Sequence, residues 1–353
     1  MKYFVSFCFL FLFQFTSAND NSKIPYQTLE ISNWADSLLG KLSIDQKIAQ
    51  LFMVHANGKN LDESHYQLVD SLIVNYDIGG VIFFQSGPNE LKKLLKRYNN
   101  LSDLPLLAGM DAEWGVSMRL DSVQKYPWMM SLGACLDDNL IYQFGKMVAS
   151  EFKELGLHIN FAPVVDINNN PKNPIIDRRS FGSDKQLVAN KALAYMSALQ
   201  DNNILACAKH FPGHGDTDTD SHYSLPILTH DRARLDSLEL FPFSQLINNG
   251  LGSVMIAHMN LPEIDTLGIP SSFSRTLISD ILKKDMQFQG LVVSDALNMN
   301  ALSGYNQAGE RELKAFLAGN DILLYPNDIG AAIELIKSKV LNDHNLQEQL
   351  DHS

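Results

Sequence analysis

Eight short apolar segments with the residue types of buried strands recur along this chain of 353 residues, and helical patterns separate them. This alternation restricts the possible folds more than any other feature of the sequence. Several segments are almost continuously apolar, as expected of parallel strands that are buried on both faces. Strand and helix repeated eight times predict an α/β protein, a single-domain (β/α)8 TIM-like barrel. The predicted strands cover residues 51–54, 80–84, 104–110, 158–165, 204–210, 253–259, 290–294 and 321–325.

The helical patterns between these strands support the same fold. Ser43 and Gln46 resemble a capping box that begins a helix ahead of the first strand. An open, doubly wound sheet is the alternative architecture, but no G-x-G-x-x-G motif follows the first predicted strand. The clearest helical patterns cover residues 138–155, 184–200, 231–248 and 275–284.

The N-terminal segment differs from the rest of the chain. Lys2 precedes an apolar run, and small residues ending at Ala18 offer a cleavage site. The run is short for a membrane-spanning helix. We therefore expect a secretory signal peptide over residues 1–18 and export of the barrel domain, residues 19–353, to the periplasm or the medium. No stable membrane insertion is expected after cleavage.

Charge and cysteine content exclude several classes of protein. The formal net charge is −12 and no basic stripe is evident, which argues against binding to nucleic acid or to anionic membranes. Beyond the signal peptide the cysteines are Cys135 and Cys207, which make no disulfide framework. Because Cys207 lies within a predicted core strand, we expect it to be a buried free thiol.

The strongest motif is KHFPGHGDTDTDSH, at residues 209–222. It leaves the end of the fifth predicted strand, and Pro212 and Gly213 prevent a helix from continuing. The motif ends in a dyad of Asp220 and His222. A carboxylate two residues from an imidazole can bind one ring nitrogen and fix the tautomer, which leaves the other nitrogen to exchange a proton. The motif therefore predicts acid–base chemistry in a polar loop.

Polar residues also end several other predicted strands. In a barrel these strand ends share one face, so residues distant in sequence can surround one ligand. An isolated aspartate at a strand end is more often a helix N-cap than a catalyst. Polar ends on five successive strands favour a common site. These residues are Asp111, Asp166, Lys209 with His210, His258 and Asp295.

The 209–222 motif resembles the signature of glycoside hydrolase family 3, in its β-N-acetylhexosaminidase branch. Further segments similar to the family follow its order along nearly the whole chain beyond the signal peptide. Trp114 stands where the family usually has the first of two glycines. The segments are DAEWG at 111–115 with Arg119-Leu120 after it, NFAPVVD at 160–166, RSFG at 179–182 and LVVSDAL at 291–297.

The resemblance implies a retaining exo-β-N-acetylglucosaminidase that needs neither metal nor cofactor. Its partner would be an oligosaccharide or glycan with a terminal, non-reducing, β-linked N-acetylhexosamine. By resemblance Asp295 is the nucleophile that forms a covalent glycosyl intermediate, and His222, held by Asp220, is the acid and base. Many relatives of the β-glucosidase branch take their acid from a second domain, which we do not expect here. The residues that match sugar-contacting positions are Asp111, Arg119, Arg179, Lys209 and His210.

Three alternatives remain at this stage. A broader β-glycosidase or a phosphorylase could use the same residues. A metal-dependent hydrolase could use His210, His214 and His222 as ligands, although the Pro-Gly break removes helical ligand spacing. A sugar-binding protein without catalysis is the third. We interpret three further residues of the motif as scaffold or rim residues, His214, Asp216 and Asp218. The natural substrate could be a peptidoglycan fragment, a chitin oligomer or a glycoprotein glycan.

Overall fold

The computed structural model describes residues 33–59 and 63–353, and the predicted signal peptide lies outside these ranges. All eight predicted strands are present; the first seven pair in parallel in the order of the chain, and the eighth pairs in parallel with the first. They are β1 (Phe52–Ala56), β2 (Gly80–Phe83), β3 (Leu107–Met110), β4 (Ile159–Asn160), β5 (Leu205–Phe211), β6 (Ser253–Ile256), β7 (Leu291–Ser294) and β8 (Leu323–Leu324).

Helices follow or precede these strands as the sequence predicts. The capping box is confirmed, because the Ser43 hydroxyl accepts from the Gln46 amide and the Gln46 side chain accepts from the Ser43 amide. The described helices are α1 (Asn33–Leu39), α2 (Ile44–Ala49), α3 (Glu63–Tyr76), α4 (Pro88–Leu101), α5 (Met129–Gly133), α6 (Asp138–Leu155), α7 (Lys185–Gln200), α8 (Arg232–Ser237), α9 (Leu240–Ile247), α10 (Glu310–Ala318), α11 (Ile329–Val340) and α12 (His344–His352).

The sheet curls into a nearly closed barrel, which confirms the predicted TIM-like fold. β1 pairs with β8. An isolated parallel bridge joins Val293 of β7 to Ile322, the residue before β8, so the two ends of the sheet meet. Buried apolar side chains from the strands fill the barrel interior, while a larger core packs between the strands and the helices. The interior side chains include Met53, Ile82, Ile159, Phe161, Cys207, Met255, Val293 and Leu324.

Two predicted helices differ from the sequence expectation. The helix expected over residues 231–248 is broken into α8 and α9, with Leu238 outside the helical region of backbone space. Pro242 explains the break, because it cannot donate the hydrogen bond that a continuous helix needs at the Leu238 carbonyl. The segment expected as a helix over residues 275–284 is a π-helix, Thr276–Asp285.

The fourth strand is also much shorter than predicted. Only Ile159–Asn160 pairs as a strand, although an isolated parallel bridge joins Val164 to Lys209. Pro163 interrupts the ladder because it has no amide hydrogen to donate.

The remaining sequence expectations concern membranes and thiols. Within the two described ranges, no helix combines the length and the apolar character needed to cross a membrane. Cys135 and Cys207 are both free, and Cys207 is fully buried as predicted.

Candidate active site

The carboxyl ends of the strands open into a pocket of about 540 Å³. Seven of the eight predicted site residues line it, and the eighth, Asp220, contacts the lining residue His222. The structure therefore brings the predicted residues together at one site, as expected from the barrel topology. The seven lining residues are Asp111, Arg119, Arg179, Lys209, His210, His222 and Asp295.

A buried ion network forms one wall of the pocket. The Lys209 ammonium lies 2.7 Å from a carboxylate oxygen of Asp111 and 2.9 Å from one of Glu113. Arg179 binds both oxygens of Glu113, at 3.0 and 2.7 Å. Glu113 and Lys209 are almost completely buried, so these charges neutralise one another without water.

The network keeps its members ionised. Burial alone would raise the pKa of Asp111, but the charges of Lys209 and Arg119 outweigh burial and lower it. Burial opposes the ionisation of Glu113 in the same way, yet Arg179 and Lys209 hold its pKa well below the usual range. Burial disfavours the charged form of Lys209, whereas the two carboxylates raise its pKa. The wall therefore presents fixed charges rather than titrating groups.

Arg119 connects this network to an aromatic side chain. Its guanidinium donates to Asp111 at 3.2 Å and lies 3.7 Å from the centre of the Phe84 ring. Within the described residues its buried Nε has no acceptor. Arg119 is thus held by contacts on two sides and retains an unused donor, as expected of a residue that completes its hydrogen bonding with a ligand.

A second buried carboxylate, Asp166, orients His210. Asp166 accepts a 2.7 Å hydrogen bond from Nδ1 of His210, and it also accepts from the His210 amide. The Nε2 atom of His210 lies 3.3 Å from Arg179. Because a guanidinium can only donate, Nε2 accepts this bond and the ring proton resides on Nδ1. Burial opposes ionisation of Asp166, but the two adjacent histidines, His210 and His214, lower its pKa.

Asp295 lies directly after β7 and is partly buried at the pocket. One carboxylate oxygen accepts from the Ala296 amide at 2.8 Å. Burial alone would raise the pKa of Asp295, but His258, His210 and the Ala296 amide together lower it. A carboxylate that stays ionised and faces an open pocket can act as a nucleophile.

His258 supports the backbone beside Asp295. It is fully buried, and its Nε2 donates to the Ala296 carbonyl at 3.1 Å while Nδ1 lies 2.7 Å from the Ser272 hydroxyl. Burial lowers the pKa of His258, so the neutral ring accepts from Ser272. His258 thereby fixes the loop that carries Asp295.

The dyad of Asp220 and His222 lies at the rim of the pocket. Nδ1 of His222 is 2.7 Å from a carboxylate oxygen of Asp220, and the same oxygen accepts from the His222 amide at 2.8 Å. The His222 side chain is 57% exposed, and within the described residues its Nε2 makes no hydrogen bond. The arrangement leaves Nε2 available for proton transfer at the pocket.

Sequence reasoning gave no role to some residues of this site. Glu113 lies inside the DAEWG segment, and its importance could have been suspected because the predicted Lys209 and Arg179 need compensating charge if they are buried. Trp114, the departure from the family pattern, does not line the pocket. Its ring packs against Trp128 with the ring centres 4.1 Å apart.

The histidines of the metal alternative do not converge. His210 binds Asp166, His214 binds Thr217 and His222 binds Asp220. In the described part of the chain, the group of side chains that is close enough to share a metal ion is a different one, Asp216, His230 and Glu239.

Arg234 already supplies a positive charge to that group, because its guanidinium lies 3.0 Å from Glu239 and 3.4 Å from Asp216. Neither the three predicted histidines nor this second group therefore presents the ligand arrangement of a metal-dependent hydrolase.

We expect Glu113→Gln to lower the free energy of unfolding at pH 7 by about 3–5 kcal/mol, because it leaves Arg179 and Lys209 with uncompensated charge. Folding lowers the pKa of Glu113 below its ordinary value of 4.5, so the stability that its charge contributes is complete above that pH and declines below it. The difference from wild type should narrow by up to about 1.4 kcal/mol per pH unit below pH 4.5. Urea unfolding at several pH values measures this.

The matched control is Asp121→Asn, which removes an exposed carboxylate from its 2.7 Å pair with Lys59. An exposed ion pair contributes at most about 1 kcal/mol. A Glu113→Gln effect as small as that of the control, or one that does not change with pH, would show that the network does not stabilise the fold.

Comparisons with known proteins agree with the resemblance in the sequence. A family model described as the glycosyl hydrolase family 3 N terminal domain matches residues 43–353. A beta-hexosaminidase of Nitrosomonas eutropha is 35% identical over 271 residues, which cover 74% of this chain and 77% of that protein.

Two further relatives are longer than this chain. Beta-hexosaminidase A of Pseudoalteromonas piscicida is 33% identical over 73% of the chain, and the match spans about half of that protein, 47%. The structure of a glycoside hydrolase family 3 beta-N-acetylglucosaminidase from a Paenibacillus species superposes with a TM-score of 0.81 at 35% identity, covering 88% of this chain and 61% of that one.

Proposed function

Because the chain belongs to glycosyl hydrolase family 3, we propose that it is a retaining exo-β-N-acetylglucosaminidase. One observation carries the proposal. A single pocket is lined by an ionised aspartate at the end of β7, by a buried network of charged side chains, and by a histidine whose free nitrogen is available at the rim. A retaining glycosidase needs these elements, a nucleophile, a proton donor and groups that hold the sugar.

In the first step the Asp295 carboxylate attacks the anomeric carbon, and the bond from that carbon to the glycosidic oxygen breaks. The leaving oxygen takes a proton from Nε2 of His222, which becomes neutral. The Asp220 carboxylate binds Nδ1 at 2.7 Å, which orients the ring and leaves Nε2 for the leaving oxygen. The product is a covalent ester between the sugar and Asp295.

In the second step the neutral Nε2 takes a proton from water, and the water oxygen attacks the anomeric carbon. The ester bond breaks and Asp295 leaves as a carboxylate, which its hydrogen bond from the Ala296 amide stabilises. His222 ends the cycle protonated. Two displacements at the same carbon retain the β configuration.

The ion network is proposed to bind the sugar ring. Asp111 can accept from two neighbouring hydroxyls, while its own charge is already balanced by Lys209 and Arg119. The resemblance and the named activity of the relatives support N-acetylglucosamine as the sugar, with Arg179 and His210 near its acetamido group. The substrate is then a glycan or oligosaccharide with this sugar at its non-reducing end.

This assignment predicts that an aryl β-N-acetylglucosaminide has a specificity constant at least about 100-fold higher than the corresponding glucoside. The physical reason is that buried groups placed for an acetamide lose their partners when a hydroxyl replaces it. Steady-state hydrolysis of the paired substrates measures the ratio.

The same assay with added phosphate tests the phosphorylase alternative. We expect free N-acetylglucosamine as the product in both conditions. Equal rates on the glucoside would make the protein a general β-glycosidase, and a sugar 1-phosphate would make it a phosphorylase.

We also propose that the protein is exported. The proposal rests on the sequence of residues 1–18, with its positive end, apolar run and small residues at Ala18. Expression in a Gram-negative host should yield extracytoplasmic protein whose intact mass is that of a chain beginning at Asn19. Recovery of the full-length chain from the cytoplasm alone would contradict export.

A further inference from the structure

We propose that His214 is a positioning residue for the general acid and base, a neutral imidazole that ties the segment around His222 to the barrel. This inference rests on the proposed role of His222. Sequence reasoning interpreted His214 as scaffold, and nothing in the mechanism above uses it. His214 nevertheless lines the pocket together with the ion network and His222.

The backbone of His214 is anchored to a buried charge. Its amide donates to Asp166 at 2.6 Å, and Asp166 is the same carboxylate that orients His210. His214 is 2% exposed and Asp166 is 1% exposed, so water does not compete for these bonds. One carboxylate thus fixes both the sugar-binding histidine and the beginning of the loop that carries the dyad.

The hydrogen bonds of Thr217 determine the tautomer of His214. The Thr217 hydroxyl donates its only proton to the His214 carbonyl at 3.1 Å. The bond between the same hydroxyl oxygen and Nδ1 of His214, at 2.6 Å, must therefore be donated by the ring. Burial and the nearby His210 lower the pKa of His214 to about 4, so the ring is neutral at physiological pH and Nε2 is an acceptor.

Nε2 of His214 faces the dyad segment. It lies 3.3 Å from the hydroxyl of Ser221, which donates because Nε2 carries no proton. Ser221 stands between Asp220 and His222 in the sequence and is itself 3% exposed. Ser221 therefore donates a hydrogen bond to His214, and His214 donates one to Thr217.

This bond matters because little else holds the dyad. The His222 side chain is more than half exposed, and the amides of Tyr223 and Ser224 bond within the turn, to the Asp220 carbonyl. Among hydrogen bonds of the described residues, the one from Ser221 is what joins segment 219–224 to the residues anchored on Asp166. The position of the donor affects the rate, because proton transfer to a glycosidic oxygen slows when the donor nitrogen lies about 1 Å from its productive position.

The direct test is Ser221→Ala, which removes the hydroxyl and leaves Asp220 and His222 in place. The matched control is Thr219→Ala, because among the described residues the Thr219 hydroxyl bonds to the neighbouring Asp218 alone. Single-turnover rates are measured for N-acetylglucosaminides whose leaving groups span a range of pKa values. For Ser221→Ala we expect roughly three- to tenfold slower glycosylation with poor leaving groups, less than about twofold with activated ones, and no change in the control.

Two His214 variants distinguish loss of the hydrogen bond between Ser221 and His214 from a general loss of packing at this position. His214→Asn keeps a donor near the Nδ1 position for Thr217 but has no acceptor that reaches Ser221. His214→Gln places an amide oxygen near the Nε2 position and can accept from Ser221. We expect Gln to preserve more activity than Asn toward poor leaving groups, at equal folded fractions in thermal unfolding.

The outcomes distinguish this inference from the function on which it rests. If His222→Ala shows the leaving-group dependence and Ser221→Ala does not, His214 does not position His222 through Ser221, and the acid–base role of His222 stands. Equal losses for all leaving groups in Ser221→Ala would likewise overturn the positioning role. If His222→Ala itself shows no such dependence, the proposed function fails first.

Discussion

Replacing Asp295 with asparagine should reduce kcat/KM for aryl N-acetylglucosaminides by about 10⁴-fold or more. The amide is not a nucleophile, so the covalent route is lost, while its oxygen can still accept from the Ala296 amide as the carboxylate does at 2.8 Å. The free energy of unfolding should therefore change by no more than about 1 kcal/mol. Steady-state kinetics and urea unfolding of the purified variant measure the two quantities.

Asp328→Asn is the matched control, because Asp328 caps α11 by accepting from the Ala331 amide and lies outside the pocket. It should alter neither kcat nor KM. A second variant, Asp295→Ala, should regain turnover of an activated aryl substrate when azide is added and should form the α-glycosyl azide. An Asp295→Asn protein that folds and keeps near-normal turnover would remove Asp295 from the mechanism.

The next largest effect is expected for His222→Ala. Glycosylation of substrates with poor leaving groups should slow by about 10²- to 10⁴-fold, whereas activated aryl glycosides should be much less affected. A good leaving group departs without a proton, so the acid matters only for the others. Asp220→Asn should weaken the same step less, because the ring keeps Nε2 but loses the carboxylate that binds Nδ1 at 2.7 Å and orients it. Single-turnover measurements isolate this step.

His344→Ala controls for the loss of an imidazole, since His344 is an exposed residue of α12 that pairs with Glu348. It should leave the rates for all substrates unchanged. Equal losses for good and poor leaving groups in His222→Ala would mean that the ring positions the substrate and does not protonate it.

The fold was largely predictable because several strands of this parallel barrel are nearly continuous apolar runs. The prediction was less accurate where a single proline changed the backbone. Pro163 shortens the fourth strand, and Pro242 divides the helix expected over residues 231–248. The pattern of apolar residues does not reveal either event, since it continues through both prolines although each removes one hydrogen-bond donor.

The sequence predicted which residues form the site better than it predicted the contacts between them. Strand ends identified Asp111, Lys209 and Asp295, and the pocket indeed contains all three. The role of Glu113 depends on a tertiary contact, because its partner Arg179 lies 66 positions away. The tether through His214 depends on hydrogen-bond directions that no sequence pattern encodes.

The departure at Trp114 illustrates the same limit. Trp114 places a bulky ring where the family usually has a glycine, and the sequence does not show which way that ring packs. In the structure the ring packs on Trp128, and the Arg178 guanidinium lies 4.1 Å from the centre of the Trp128 ring on the same surface. The pocket wall is formed by its neighbours Asp111 and Glu113.

Trapping the covalent intermediate tests the central claim most directly. An N-acetylglucosaminyl fluoride with a second fluorine at C5 should react with the protein and release fluoride, and the electron-withdrawing substituent should slow the second step so that the ester accumulates. We predict that peptide mass spectrometry finds one sugar on the peptide of residues 291–297, attached to Asp295, and none on the Asp295→Asn protein. A sugar attached to any other residue, or turnover without any covalent adduct, would contradict the account.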